Sequence, residues 1–101
     1  SGNNVGGYAA AIGGGVNNIA SGSHASVGGG NNNIASGNYA TAPGGINNSA
    51  TTSYTLAAGR RAKANHEGAF VWGDATDADV ASTATNQFVV REYDPAGGLL
   101  S

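Results

Sequence analysis

The chain has 101 residues, a net charge of −2 and no cysteine, which bounds it to one domain and removes disulfides and thiolate metal sites as ways to fasten a small fold. Its apolar residues are nearly half alanine, 19 Ala against 16 Val, Ile, Leu and Phe together, so branched and aromatic bulk is too scarce for a conventional core, while the low net charge argues against disorder. Residues 1–59 carry no Asp, Glu, Lys or Arg, which excludes nucleic-acid binding by counterion release, and no apolar run approaches the roughly 20 residues of a membrane-inserting helix.

From the N-terminus a glycine-rich tripeptide recurs every fifteen residues: Gly13-Gly14-Gly15, Gly28-Gly29-Gly30, Pro43-Gly44-Gly45 and Ala58-Gly59-Arg60. Asn17-Asn18, Asn32-Asn33 and Asn47-Asn48 follow the first three at constant distance. A fixed period of this kind describes one unit stacked along an axis. Before each slot stands a short strand with two inward positions, two residues apart: Ala10 and Ile12, Ala25 and Val27, Ala40 and Ala42, Thr55 and Ala57. Continuing the frame places Phe70 and Trp72 inward, then Phe88 and Val90. After each slot a second strand carries inward Ala20, Ala35 and Ala50, which turns Ile19 and Ile34 outward. The predicted architecture is an all-β parallel β-roll, a solenoid with fifteen-residue coils. Eighteen glycines spread through the chain exclude a helical reading, and the absence of a three-residue glycine period excludes collagen.

Three segments are expected. Residues 1–67 form the repetitive coils. Residues 68–92 form bulky capping coils, with a three-residue insertion within Asp74 to Asn86 because Phe70 and Phe88 are eighteen apart. Residues 93–101 form an exit segment or tail. Ile12, Val27, Phe70, Trp72, Phe88 and Val90 are the expected core and cap. A single alanine-filled roll buries little apolar area, so association with further copies is expected, through the outward Ile19 and Ile34.

His24-Ala25-Ser26-Val27-Gly28 with Ala35-Ser36-Gly37, and Ala69-Phe70-Val71-Trp72-Gly73, resemble the YadA-like head repeat of trimeric autotransporter adhesins, over roughly residues 5–92. Fifteen residues per unit instead of about fourteen, richer glycine slots and alanine at inward positions depart from that pattern. The resemblance implies a left-handed parallel β-roll in a homotrimer, displayed outside the cell as part of a longer surface-anchored fibre. The segment from Arg60 to Trp72 also resembles repeat regions of phage-type tail fibres, which would place the chain on a virion.

The glycine slots lack the following Lys-Ser/Thr of a phosphate loop and read as turns. Asp74, Asp77 and Asp79 raise calcium, but positions six and twelve of such a loop would be Asp79 and Thr85 rather than Gly and Glu; a solvated loop or one-turn cap is expected and no metal. His66 and Glu67 are neighbours on a strand and face opposite ways, so no hydrolytic triad is expected. Tyr39 and Tyr54 share a column with His24 and Ala9 and are the candidate ligand contacts, for a matrix protein or a glycan. The Asn columns 17/32/47 and 18/33/48 are expected to be internal amide ladders. Thr41, Thr51, Thr52 and Thr55 miss the coil period, which argues against an ice-binding array. The expected function is a trimeric fibre head for adhesion, with no catalysis and no cofactor; the alternative is a spacer segment of a tail fibre.

Overall fold

The structure is a computed structural model that describes residues 1–91; the expected tail, 93–101, lies outside the described residues. Its strands are short. In the first coils they are β1 (Asn4–Val5), β2 (Ala11–Ile12), β3 (Ile19–Ala20), β4 (Ser26–Val27) and β5 (Ile34–Ala35). The middle of the chain adds β6 (Thr41–Ala42), β7 (Gly45–Ile46), β8 (Ser49–Ala50) and β9 (Leu56–Arg60). The last are β10 (Ala62–Ala64), β11 (Phe70–Gly73), β12 (Val80–Ala81) and β13 (Phe88–Arg91). They assemble into two parallel sheets, one in the order β1-β3-β5-β8-β10-β12 and one in the order β13-β11-β9-β6-β4-β2, with β7 also paired to β9. This is a parallel β-solenoid of about six turns, as the fifteen-residue period predicts.

Between the sheets lies an alanine interior. Ala20, Ala35, Ala50 and Ala64 come from one sheet, Ala42 and Ala57 from the other, and Ala25, Ala40 and Ala69 from the residues that lead into its strands. Val27, Val71, Val80 and Val89 are the largest apolar members. Ile12 and Ala10 pack against this core but are only half-buried, since the first coil has a neighbour on one side only.

The sharpest polar feature of the interior is the column Asn18, Asn33 and Asn48, each 0% exposed. Asn33 Nδ2 donates to Gly29 O and to Gly45 O of the next coil, both at 2.9 Å, while its Oδ1 accepts the Asn48 backbone N–H at 3.1 Å. Asn18 and Asn48 repeat the pattern. The column begins at Asn3, whose Oδ1 accepts Asn18 N–H, and ends where Asn48 Oδ1 accepts Ala62 N–H. The expected internal ladder therefore exists at 18/33/48, but its bonds run mostly to backbone groups. The companion column does not point inward. Asn17, Asn32, Asn47 and then Arg61 sit at left-handed φ of 57°, 58°, 59° and 60°, where Asn is tolerated, and their side chains leave the core.

The main correction concerns the last coils. Leu56 pairs with Phe70 and Ala57 with Val71, a step of fourteen residues instead of fifteen. The missing residue is in the glycine slot: Gly45 pairs with Gly59 and Ile46 with Arg60, so only Ala58-Gly59 follow Ala57 where Pro43-Gly44-Gly45 follow Ala42. A one-residue slip exchanges the faces of a strand. Phe70, Trp72 and Phe88, expected inside, are therefore on the outer face, 40%, 41% and 58% exposed, and Val90 is half-buried beside them. Ala69, Val71 and Val89 take the inward places. An interior lined with alanine has no room for an indole, whereas valine fits it. The next step is eighteen residues, Phe70 to Phe88 and Ala62 to Val80, which places the insertion in the segment between Gly73 and Val80.

Two substitutions test this frame. Asn33→Ala leaves Gly29 O and the Asn48 backbone N–H without this partner and removes one of the two donors to Gly45 O, and we expect a loss of about 2–4 kcal/mol in chemical denaturation. Val71→Ala should cost about 1–3 kcal/mol in the same measurement; an unaffected midpoint for Val71→Ala would restore the fifteen-residue register.

Candidate functional site on the turn edge

Each coil passes from the first sheet to the second through a four-residue turn: Ser21-Gly22-Ser23-His24, Ser36-Gly37-Asn38-Tyr39 and Thr51-Thr52-Ser53-Tyr54. The second position approaches its neighbour closely. A Cβ on Gly37 would stand 2.0 Å from Thr52 O, so a side chain there would push the coils apart. The fourth position is left-handed, with φ of 59° at His24 and 60° at Tyr39 and Tyr54. Bulky residues are uncommon in that region, at a cost of about 1–2 kcal/mol each.

Their rings form a ladder. His24 and Tyr39 stack with centroids 5.0 Å apart and planes 6° from parallel; Tyr39 and Tyr54 stack at 5.3 Å and 3°. Tyr8 closes the N-terminal end edge-on to His24 at 5.5 Å, a contact the fifteen-residue column does not predict because Tyr8 lies one place before Ala9. Parallel coils repeat at about 4.8 Å, so successive rings are delivered near stacking distance by the backbone itself. Tyr39 and Tyr54, the sequence-predicted contacts, thus stand together on the surface, 51% and 62% exposed. Beside them runs an open polar cleft of about 470 Å³, whose lining includes Ser36, Asn38, Thr51, Thr52, Ser53 and Glu67. Thr52 Oγ1 is buried there with no hydrogen-bond partner.

The charged residues gather elsewhere, around the inserted segment. Arg61 binds Asp79 through Nε at 2.8 Å and Asp77 through Nη1 at 2.9 Å; Arg60 reaches Asp77 at 3.3 Å. Arg91 Nε donates to Asp74 at 2.9 Å, its side chain only 14% exposed, and its Nη2 donates to Thr76 O at 2.9 Å. The three aspartates are thus held by three arginines, which clamp the longer turn to the roll. Among the described residues no group of three or more His, Cys, Asp or Glu converges as metal ligands would. The Thr76 backbone N–H first, with Arg91 adding to it, holds the Asp74 carboxyl below its ordinary range. The Arg61 hydrogen bond first, then the Arg60 charge, does so for Asp77.

His66 has a partner the sequence did not suggest. Its Nδ1 lies 2.8 Å from Ser82 Oγ, and that oxygen accepts Asn65 N–H at 2.9 Å. Ser82 is 5% exposed and continues the inward column above Ala64. Among the described residues no carboxylate bonds to His66, so the pair lacks the third member of a triad. Ile19 and Ile34 are register neighbours on the outer face of the first sheet, each half-buried.

No protein-family model, no curated protein and no solved structure matches the chain.

Because the folded carboxyls of Asp74 and Asp77 are lowered, their stabilisation is complete above the unfolded value near 3.9 and is lost as pH falls through the folded values. Thermal unfolding should be level from about pH 7 to about pH 5 and decline below about pH 4. The double variant Asp74→Asn, Asp77→Asn should be less stable at neutral pH and show a shallower acid decline; equal slopes would exclude the clamp as its source.

Proposed function

We propose that the chain is a head segment of a homotrimeric fibre displayed at a cell or virion surface, three left-handed rolls side by side, mediating adhesion to host matrix proteins, glycans or cells. The observation that carries this reading is the apolar outer face at the C-terminal end of the second sheet. Leu56, Phe70 and Phe88 form one row there by register, and Ala58, Trp72 and Val90 the next. Phe70 and Phe88 pack with centroids 4.9 Å apart yet remain open to solvent. A patch of three aromatic rings on so small a chain marks a surface to be covered. Ile19 and Ile34 offer a second apolar row on the opposite sheet. One outer face meeting the other face of a neighbour is a heterologous contact, which builds a closed ring where its rotation is threefold and an open filament where the rotation does not close. The alanine interior supports the same conclusion, since each copy gains little from its own burial.

A spacer segment of a tail fibre is the second reading. It is favoured by the uncharged first 59 residues, which give the coils a uniform surface with little to recognise by charge.

Sedimentation is expected to give three times the 9.8 kDa chain mass at micromolar concentration. Phe70→Ser with Trp72→Ser should shift the protein to monomer, as should Ile19→Ser with Ile34→Ser, and both should lower thermal stability. A stable folded monomer of the unaltered chain would refute the assembly. Adhesion to matrix-coated surfaces and cultured cells by the trimer separates the head from the spacer.

A further inference from the structure

The aromatic ladder is unfinished at its C-terminal end. Tyr39 is flanked on one side by His24 and on the other by Tyr54, but the column position after Tyr54 is Gly68, left-handed at φ 73° and without a side chain. One face of the Tyr54 ring is therefore bare, and Tyr54 is the more exposed of the two tyrosines. The gap above it is one coil deep, about 4.8 Å, the thickness that a stacked ring occupies. Asn86, the next residue of the column, folds its Oδ1 to within 2.1 Å of where a Gly68 Cβ would stand, which puts an amide at the back of the gap. Glu67 precedes Gly68 and lines the adjoining cleft together with Thr51, Thr52 and Ser53.

We infer that this gap binds a neutral saccharide, and the inference rests on the adhesive reading above. A sugar ring presents C–H bonds to an aromatic face and hydroxyls at its rim. The Tyr54 face receives the first, and the Glu67 carboxylate accepts from the second, joined by the Asn86 amide and the Ser53 and Thr51 hydroxyls. Charge selects the class. The cleft lining holds a carboxylate and no cation, so an acidic sugar is repelled. A flat aromatic ligand would stack on Tyr54 but would leave the carboxylate without donors, a desolvation it cannot offset.

The test is titration of the 101-residue chain with lactose, maltotriose and sialyllactose, followed by saturation-transfer NMR and by the Tyr54 ring shifts. Lactose or maltotriose should bind with transfer to ring C–H protons, and sialyllactose more weakly. Tyr54→Asn keeps a residue suited to the left-handed backbone and should weaken binding about tenfold or more. Glu67→Gln should weaken it by about fivefold, while Tyr8→Ser, at the far end of the ladder, should leave it unchanged. Folding of each variant is checked by its circular-dichroism melt. Sugar binding that survives Tyr54→Asn overturns this site, stronger binding of sialyllactose overturns the neutral class, and no response to any of the three sugars overturns the inference. Adhesion of the trimer to matrix protein or cells in that last case would leave the adhesive reading standing, whereas failed adhesion as well would overturn the adhesive reading too.

Discussion

In-register stacking of backbone on backbone is the constraint from which the rest of this molecule follows. The glycine slot bends too sharply to pair all its carbonyls along a regular ladder, and a buried carbonyl without a donor is costly. Asn18, Asn33 and Asn48 supply the donor for Gly14 O, Gly29 O and Gly44 O, and through the same Nδ2 add a donor to the next coil's slot carbonyl while returning an acceptor to the coil above. A shorter polar side chain would not reach both carbonyls, and an acid would bring acceptors where donors are needed. Where the Asn column ends, at Ala62, the slot has lost a residue and β9 runs straight through it.

That arrangement leaves a thin alanine interior and moves the large side chains outward. Close backbone approach at Gly37 and at Gly45, where a Cβ would meet the next coil's carbonyl oxygen at 2.0 Å, keeps the coils at strand spacing. Surface positions are then repeated every coil and can be filled freely. One edge carries rings, one outer face carries Phe70, Trp72 and Phe88, and the other carries Ile19 and Ile34. Surfaces of this kind suit contacts that are individually weak and gain from repetition along the roll.

The ladder of His24, Tyr39 and Tyr54 has a physical tension that sets it apart from the Asn turns. At Asn17, Asn32 and Asn47 the left-handed backbone is occupied by a residue that tolerates it. On the opposite edge the same conformation is occupied by aromatic side chains, and stacking offsets only part of that strain. Strain retained at an exposed site is a reason to look for a ligand there. The inserted segment is held differently, by Arg60, Arg61 and Arg91 on Asp74, Asp77 and Asp79. Exposed ion pairs of this sort are screened and individually weak; the less exposed Arg91–Asp74 pair, with its added carbonyl contacts, is the anchor among them.

The constant spacing of Gly, Asn and Ala already determined a parallel solenoid, the inward Asn18/Asn33/Asn48 column and the alignment of Tyr39 over Tyr54, because equal separations along a stacked chain become neighbours in space. It did not determine the register of the final coils. The stretch Ala69-Phe70-Val71-Trp72 offers two alternating faces, one small and one large, and periodicity alone assigns Phe70 and Trp72 to the fifteen-residue frame. Only the width of the interior decides between them, and an alanine-lined space accepts Val71 and refuses Trp72. The same holds for the Asn17/Asn32/Asn47 column, turned outward by backbone handedness, and for the arginine clamp and the His66–Ser82 contact, which exist because fourteen- and eighteen-residue steps bring distant residues level. Period is a property of the chain; which face a side chain takes after a one-residue slip is a property of the space it must fill.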